Sequence, residues 1–339
     1  MRKLLIGMII TFLLLVPSVV SVSINKTSQS KNGKTLYVGG SGPGNYSKIQ
    51  DAIDNASDGD TVYVFSGIYN EFITIEKSIR LIGEDKYTTI KNGWVLFNNT
   101  QNAEISVFTI THSYGIGLFD SSQIKISRNI IKDSLHAIYF SCSDNNIITN
   151  NLITESIDSG IYSCDSSNNT ITHNTFTGNW QHAIYLQDSN NCLIAWNNIS
   201  YNLYNYNGAI LLFKSSYNNI KENIISSNGC IGIYSVMYSN NNKICKNHIT
   251  NHTEYGVYIG DPKYYSSLNV ILFNNIYDNE ICQAECGGYF NLFLKNYWGR
   301  PRFLPYKITN YVNYRSLKTF DWFPRLFPYK IPSAGSDIE

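Results

Sequence analysis

An all-β solenoid, a right-handed parallel β-helix, is the fold this sequence predicts, on three observations. The first is a phrase, Asn-x-Ile-x-x-Asn-x-Ile, that returns about every 24 residues, the mark of a stacked repeat. It reads Asn146-Ile148-Asn151-Ile153, Asn169-Ile171-Asn174-Phe176, Asn218-Ile220-Asn223-Ile225, Asn242-Ile244-Asn247-Ile249 and Asn269-Ile271-Asn274-Ile276. The second phrase keeps the same period and alternates apolar with other residues, as short strands do. It runs Ala137-Ile138-Tyr139-Phe140, Gly160-Ile161-Tyr162, Ala183-Ile184-Tyr185-Leu186, Ala209-Ile210-Leu211-Leu212, Gly232-Ile233-Tyr234 and Gly256-Val257-Tyr258-Ile259. Third, Asn, Ser, Asp and Gly fill the gaps, so tight turns alternate with strands.

Each coil follows from these phrases. Successive coils pair in parallel about 4.8 Å apart. One coil cannot bury its own Ile face, so several must stack, about eight or more here. The crossover rule makes the stack right-handed. Ile126, Ile148, Ile171, Ile220, Ile244 and Ile271 are expected to point inward. Asn129, Asn151, Asn174, Asn197, Asn223, Asn247, Asn274 and Asn296 recur at one place in the coil. Asn tolerates the left-handed torsions of a bend, and stacked amides can bond along the column. Tyr139, Tyr162, Tyr185, Tyr234 and Tyr258 each follow an inward residue by one, so alternation turns them outward as a strip broken by Leu211.

Both ends of the stack read as protected. Ser47-Lys48-Ile49-Gln50 has the form of a capping box, opening a short helix with Ile49, Ala52, Ile53 and Ala56 on one side. Such a helix would cover the first coil, otherwise an open edge. At the far end Trp298, Phe303, Tyr306, Trp322, Phe323 and Phe327 lie among Pro301, Pro305, Pro324 and Pro328, the composition of an aromatic, proline-rich cap.

A family resemblance rests on the N-terminal phrases. Gly39-Gly40-Ser41-Gly42-Pro43-Gly44, Ile49-Gln50-Asp51-Ala52-Ile53, Asp58-Gly59-Asp60-Thr61-Val62 and Lys77-Ser78-Ile79-Arg80-Leu81-Ile82-Gly83-Glu84 resemble the opening of NosD-like β-helix proteins. Asn296-Tyr297-Trp298 and the stretch from Phe320 to Tyr329 are similar to the ends of archaeal members. The resemblance runs over residues 35 to 330 and implies an exported surface protein with repeats like those of pectate lyases. Its shared phrases are structural and carry no catalytic motif.

Composition agrees with a neutral extracytoplasmic solenoid. There are 26 basic and 25 acidic residues, a net charge of +1, and only 15% charged residues. Nothing here steers nucleic acid or an acidic membrane surface. Residues 1–23 read as a signal peptide or N-terminal anchor: Arg2 and Lys3, an apolar run from Leu4, then Ser21 and Ser23. Residues 24–34 form a polar linker, 35–330 a single β-helix domain and 331–339 a polar tail. The seven Cys fit no zinc spacing. Cys142 with Cys164, and Cys282 with Cys286, are the pairs an oxidising compartment could join; otherwise Cys fills small buried places.

Chemistry must come from outward side chains. His136 and His182 fall at one position two coils apart, with Ser159 between them and Asp158 beside it. Two coil steps, about 10 Å, are too far for both His to bind one metal. His182 with Asp158 is the candidate acid–base pair, with His136 as an alternative. The next coil carries an insertion, Tyr201 to Gly208. Trp180, Tyr201, Tyr204 and Tyr206 are therefore expected to form an aromatic lip along an outward groove, where rings would stack on sugars, with Tyr185 of the strip as a further substrate-binding candidate. Asp165 and Asp188 sit at one position in adjacent coils, about 5 Å apart if in register. Such carboxylates could share Ca²⁺; no other cofactor is implied.

Three functions are consistent with this. The first is a noncatalytic exported protein that binds a polysaccharide or cell-surface glycan. The second is a polysaccharide lyase, hydrolase or epimerase. The third, implied by the NosD resemblance, is a copper accessory. Copper prefers Met, Cys and His, and the three Met and six His are scattered. The first reading is preferred.

Overall fold

Pairing of the periodic phrases builds three long sheets. The computed structural model describes residues 33–202, 208–260, 263–312 and 315–331. The expected leader, most of the linker and residues 332–339 of the tail lie outside them, as do Tyr204 and Tyr206. Residues 33–339 cluster as one unit. Sheet 1 runs from Thr35–Val38 to Leu292–Leu294, and sheet 2 from Gly67–Tyr69 to Asn275–Tyr277. Sheet 3 begins at Ile73–Ile75 and ends in the antiparallel hairpin Tyr306–Val312 and Arg315–Asp321. Among the described residues sheets 1 and 3 have twelve strands each and sheet 2 has ten, about twelve turns. Every pairing except the terminal hairpin is parallel.

Register follows the Ile phrase. Ile105, Ile126, Ile148, Ile171, Ile194, Ile220, Ile244 and Ile271 are successive Cα partners in sheet 1, all fully buried. Stacking identical β-branched chains fills the lumen with one repeated side chain, each buried Ile contributing about 1.5–3 kcal/mol.

The Asn column forms as expected and is buried. From Asn129 to Asn296 each Nδ2 donates to the Oδ1 of the next Asn at 3.0–3.2 Å. Each Oδ1 also accepts a backbone N–H from the coil before, as Asn174 does from Asn151 at 3.0 Å. One expectation is corrected. The left-handed residue at this bend is not the ladder Asn but the one before it: Arg128, Asn150, His173, Trp196, Glu222, Lys246, Phe273 and Lys295, all with φ near +57°. Asn hydrogen bonds on both sides of the bend over-determine its torsions, so bulky residues occupy a region they otherwise avoid.

The caps are also built differently from the expectation. The helix Ile49–Asn55 forms and buries Ile49, Ala52 and Ile53, but Lys48 is its N-cap and makes no side-chain cap bond. Glu71, a coil later, supplies the cap instead, accepting from Ile49 N and Gln50 N at 3.0 and 3.1 Å. At the other end Trp298 is buried and stacks on Tyr306, 4.1 Å between centroids. Phe303, Trp322, Phe323 and Phe327 are exposed; Trp322 lies against Phe320, and Phe323 and Phe327 line a cleft with Phe273 and Tyr329. The ladder instead ends on buried Asp321, whose carboxylate accepts from Lys295 N, Asn296 N, Asn296 Nδ2, Trp298 Nε1 and Phe323 N at 2.8–3.2 Å. A polar ladder needs such an end, because its last amide has no further Asn to meet.

No disulfide joins the Cys residues. Cys164 is in register with Ser141 and Gln187, not Cys142. Cys282 and Cys286 lie four residues apart on the strand Cys282–Gly287, about 13 Å along an extended chain; a disulfide needs Cα atoms within about 7 Å. Among the described residues no helix is long and apolar enough to cross a membrane.

Candidate functional site on the outer face of sheet 3

Alternation in sheet 3 places Leu96, Gly117, Tyr139, Tyr162, Tyr185, Leu211, Tyr234, Tyr258 and Glu285 in one outward column. The tyrosines are half-buried because each ring lies against the next. Tyr139 and Tyr162 are 5.5 Å apart, and Tyr162 and Tyr185 stack at 4.9 Å and 20°. Phe119 extends the row to Trp94, with centroids 5.4 Å from Tyr139 and 5.8 Å from Trp94. Buried Leu211 interrupts it, and Tyr234 and Tyr258 resume at 5.4 Å.

The phenols are held as donors. Tyr162 and Tyr185 hydroxyls both donate to Gln187 Oε1, at 2.8 and 3.3 Å. Burial pushes the Tyr162 phenol up to about 12, with the neighbouring Cys164 and Tyr185 adding to it. Burial raises Tyr185 as well. Both stay neutral across the physiological range.

His136 stands at the flank of this row, 5.9 Å from the Tyr139 ring and 5.3 Å from Tyr162. Burial lowers its pKa, and the Asp158 charge opposes that. Its Nδ1 is buried without a partner, as is Trp94 Nε1. Asp158 is half-exposed and accepts from Ser159 Oγ at 2.9 Å.

His182 departs from the expectation. It shares the His136 column, but it is 2% exposed and its Nδ1 lies 2.8 Å from Gly208 O, at the end of the inserted segment. Burial lowers its pKa. Among the described residues no hydrogen bond joins it to Asp158, whose charge opposes the effect of burial. The register step of 26 residues, Ile184 to Ile210, against 23 from Ile161 to Ile184, confirms the insertion. Trp180 is exposed beside this coil.

Asp165 and Asp188 occupy one left-handed column with Asp120, Cys142, Lys214 and Met237. Cys164 donates its S–H to Asp165 Oδ2 at 3.3 Å, and burial holds that thiol at about 11. Among the described residues no third His, Cys, Asp or Glu joins the pair as a metal ligand.

A cleft of about 250 Å³ opens at the N-terminal end of the strip, lined by Trp94, Tyr114, Phe119, Leu135, His136 and Tyr139. Sequence reasoning missed Trp94, Gly117 and Gln187. A signal existed: aligned on the strand phrase, Trp94 stands where later coils have Gly115, Ala137, Gly160, Ala183 and Ala209, and Gly117 stands where they have Tyr.

A family model described as right-handed β-helix region matches residues 93–235 and 159–296. No curated protein matches the sequence. Three solved structures share the fold. The Dettilon tailspike protein (gp208) is 12% identical with a TM-score of 0.59, covering 74% of this chain and 57% of its own. The Azotobacter vinelandii mannuronan C-5 epimerase AlgE6 A-module is 13% identical with a TM-score of 0.58, covering 83% and 95%. The alginate lyase from Paenibacillus sp. str. FPU-7 is 13% identical with a TM-score of 0.51, covering 76% and 95%. The chain thus spans less than two thirds of the tailspike, and at these identities the likeness is one of fold.

Proposed function

The chain belongs to the right-handed β-helix family, and on that premise we propose an exported, NosD-like protein that binds a polysaccharide along the outer face of sheet 3. One observation carries the reading: the row of touching, half-exposed rings from Trp94 through Phe119, Tyr139 and Tyr162 to Tyr185, edge-on or tilted at first and stacked in its last pair. Aromatic faces offer a flat apolar surface with a polar edge, which matches the C–H face and hydroxyl rim of successive sugar rings. Asp158 flanks the row, its charge reaching Tyr162 and Tyr185. The mannuronan epimerase and the alginate lyase named above support a glycan as the ligand class.

Affinity electrophoresis through gels containing glucan, mannan, xylan, pectin or alginate tests this. The wild-type protein is expected to be retarded by at least one, and the Tyr162→Ala/Tyr185→Ala variant to run free. Free migration of the wild type in all five would sink the proposal.

A second reading, glycan turnover, draws on His136. Its neutral imidazole, with a bare Nδ1, stands beside Tyr162 and within the field of Asp158, a base next to a phenolic donor. If turnover occurs, His136→Ala abolishes release of reducing or unsaturated ends and leaves retention measurable. Turnover undiminished in that variant would remove His136 from the chemistry.

A further inference from the structure

We propose that the Trp94–His136 cleft is a terminal subsite for one neutral pyranose ring, and that it rejects uronic acids. This rests on the glycan-binding reading above and adds a polarity and a chemical class to it.

The cleft lies where the strip stops. One coil before Leu96 the outward residue is Thr74, and exposed Phe72, in register with Trp94, makes no ring contact with it among the described residues, so the contiguous row ends at Trp94. At about 250 Å³ the space is below the roughly 300–1,000 Å³ of drug-sized pockets, room for one ring and not a chain. Its walls are aromatic on several sides: Trp94 and Tyr114 are 5.9 Å apart at 48°, and Phe119 presents its edge to Trp94 at 77°. The space depends on Gly117, the break in the tyrosine column. A Cβ there would stand 2.7 Å from Trp94 Cζ2 and 2.8 Å from Nε1, so the indole lies across the backbone that a side chain would occupy.

Two polar atoms of the lining residues are buried and unmatched, Trp94 Nε1 and His136 Nδ1. Indole N–H only donates, while imidazole Nδ1 donates or accepts according to tautomer. A hydroxyl can answer both in either tautomer, and a carboxylate only where Nδ1 carries the proton, once the rings shift enough to present these atoms to the cleft. Charge decides further against an acid. No Lys or Arg lines the cleft. His136 is held neutral by burial, and the charge it feels is that of Asp158. Asp120, Asp165 and Asp188 run in the left-handed column along the same sheet, joined by a single cation, Lys214. A uronate here would meet no cation in the lining to pair with.

The test is titration of ¹⁵N-labelled protein with cellohexaose, mannohexaose and xylohexaose, and with hexamers of mannuronate and galacturonate. The Trp94 indole N–H resonance is assigned by its absence from Trp94→Phe. At least one neutral hexamer should shift it, and neither uronate hexamer should. Trp94→Phe and His136→Ala should each weaken the neutral hexamer about ten-fold, the worth of one hydrogen bond with its burial. Gly117→Ala, which displaces the indole without removing it, should do the same with an unchanged circular dichroism spectrum. Equal or stronger shifts with a uronate hexamer, unchanged affinity in Trp94→Phe, or no response to any neutral hexamer would overturn the subsite. If the tyrosine double variant still abolishes retention in polysaccharide gels, the strip stands and only the subsite falls. If the wild type is not retained at all, the binding reading itself has failed.

Discussion

The bend between sheets 1 and 2 and the outer face of sheet 3 are both columns of one residue type repeated coil after coil, yet they close differently. In the bend each Asn amide meets the next Asn and the backbone of the coil before, and Asp321 ends the run. On the outer face each tyrosine meets its neighbour's ring on one side and solvent on the other. The Tyr162 and Tyr185 hydroxyls lean on Gln187. The column that satisfies itself is structural; the column left half open is where recognition can occur. The same comparison ranks the expected effects of breaking each.

Asp321→Ala should be the most damaging change. It strips the acceptor from five N–H groups at the end of the ladder. Leaving two or three of them buried without a partner costs on the order of 3–5 kcal/mol. Urea denaturation should show the midpoint fall, starting at the C-terminal coils; an unchanged midpoint would mean that the hairpin, not the carboxylate, seals the stack.

Acid should come next, through His252. It interrupts a second amide column, between Asn228 and Asn279, fully buried with Nδ1 unpartnered. Burial lowers its pKa from 6.5 to about 4. The unfolded chain takes up the proton first, so this stability is present above pH 6.5 and is lost as pH falls toward 4, about 3 kcal/mol in all. Burial lowers His136, His182 and His248 in the same direction. His252→Asn should rejoin the column and flatten melting temperature against pH over that window; a profile as steep as the wild type would assign the acid sensitivity elsewhere.

Asn174→Leu, mid-ladder, should cost about 1–3 kcal/mol by orphaning the Asn151 amide and the Ile148 carbonyl. Tyr162→Ala should cost least, about 1 kcal/mol of ring packing, while abolishing much of any glycan retention. The reverse pattern, a tolerant ladder and a fragile strip, would refute the division drawn between the two columns.

Much of the candidate face was legible in the sequence because strand alternation is local. The outward column of tyrosines and its break at Leu211 follow from counting residues. The Asp165–Asp188 column and the shared position of His136 and His182 were legible for the same reason. Which histidine is exposed was not. The lengthened coil carries Gly208 O to His182, while His136 looks onto a neighbouring coil that offers Tyr114 and Trp94. Column membership is a property of spacing, but burial depends on what the next coil places overhead.

The sequence by itself determined the repeat: the coil length, the inward Ile stack, the Asn ladder and the outward tyrosines. Each is a short pattern that pairs with a copy of itself, so register follows from identity. Only the tertiary structure decided where the pattern ends and where it opens. Glu71 caps a helix that Ser47 was expected to cap, and Asp321 closes a ladder begun at Asn129. Trp94 folds across Gly117 to make a cleft. These partners are unlike residues a coil or more apart in sequence, brought together by the stack, and no periodicity links them.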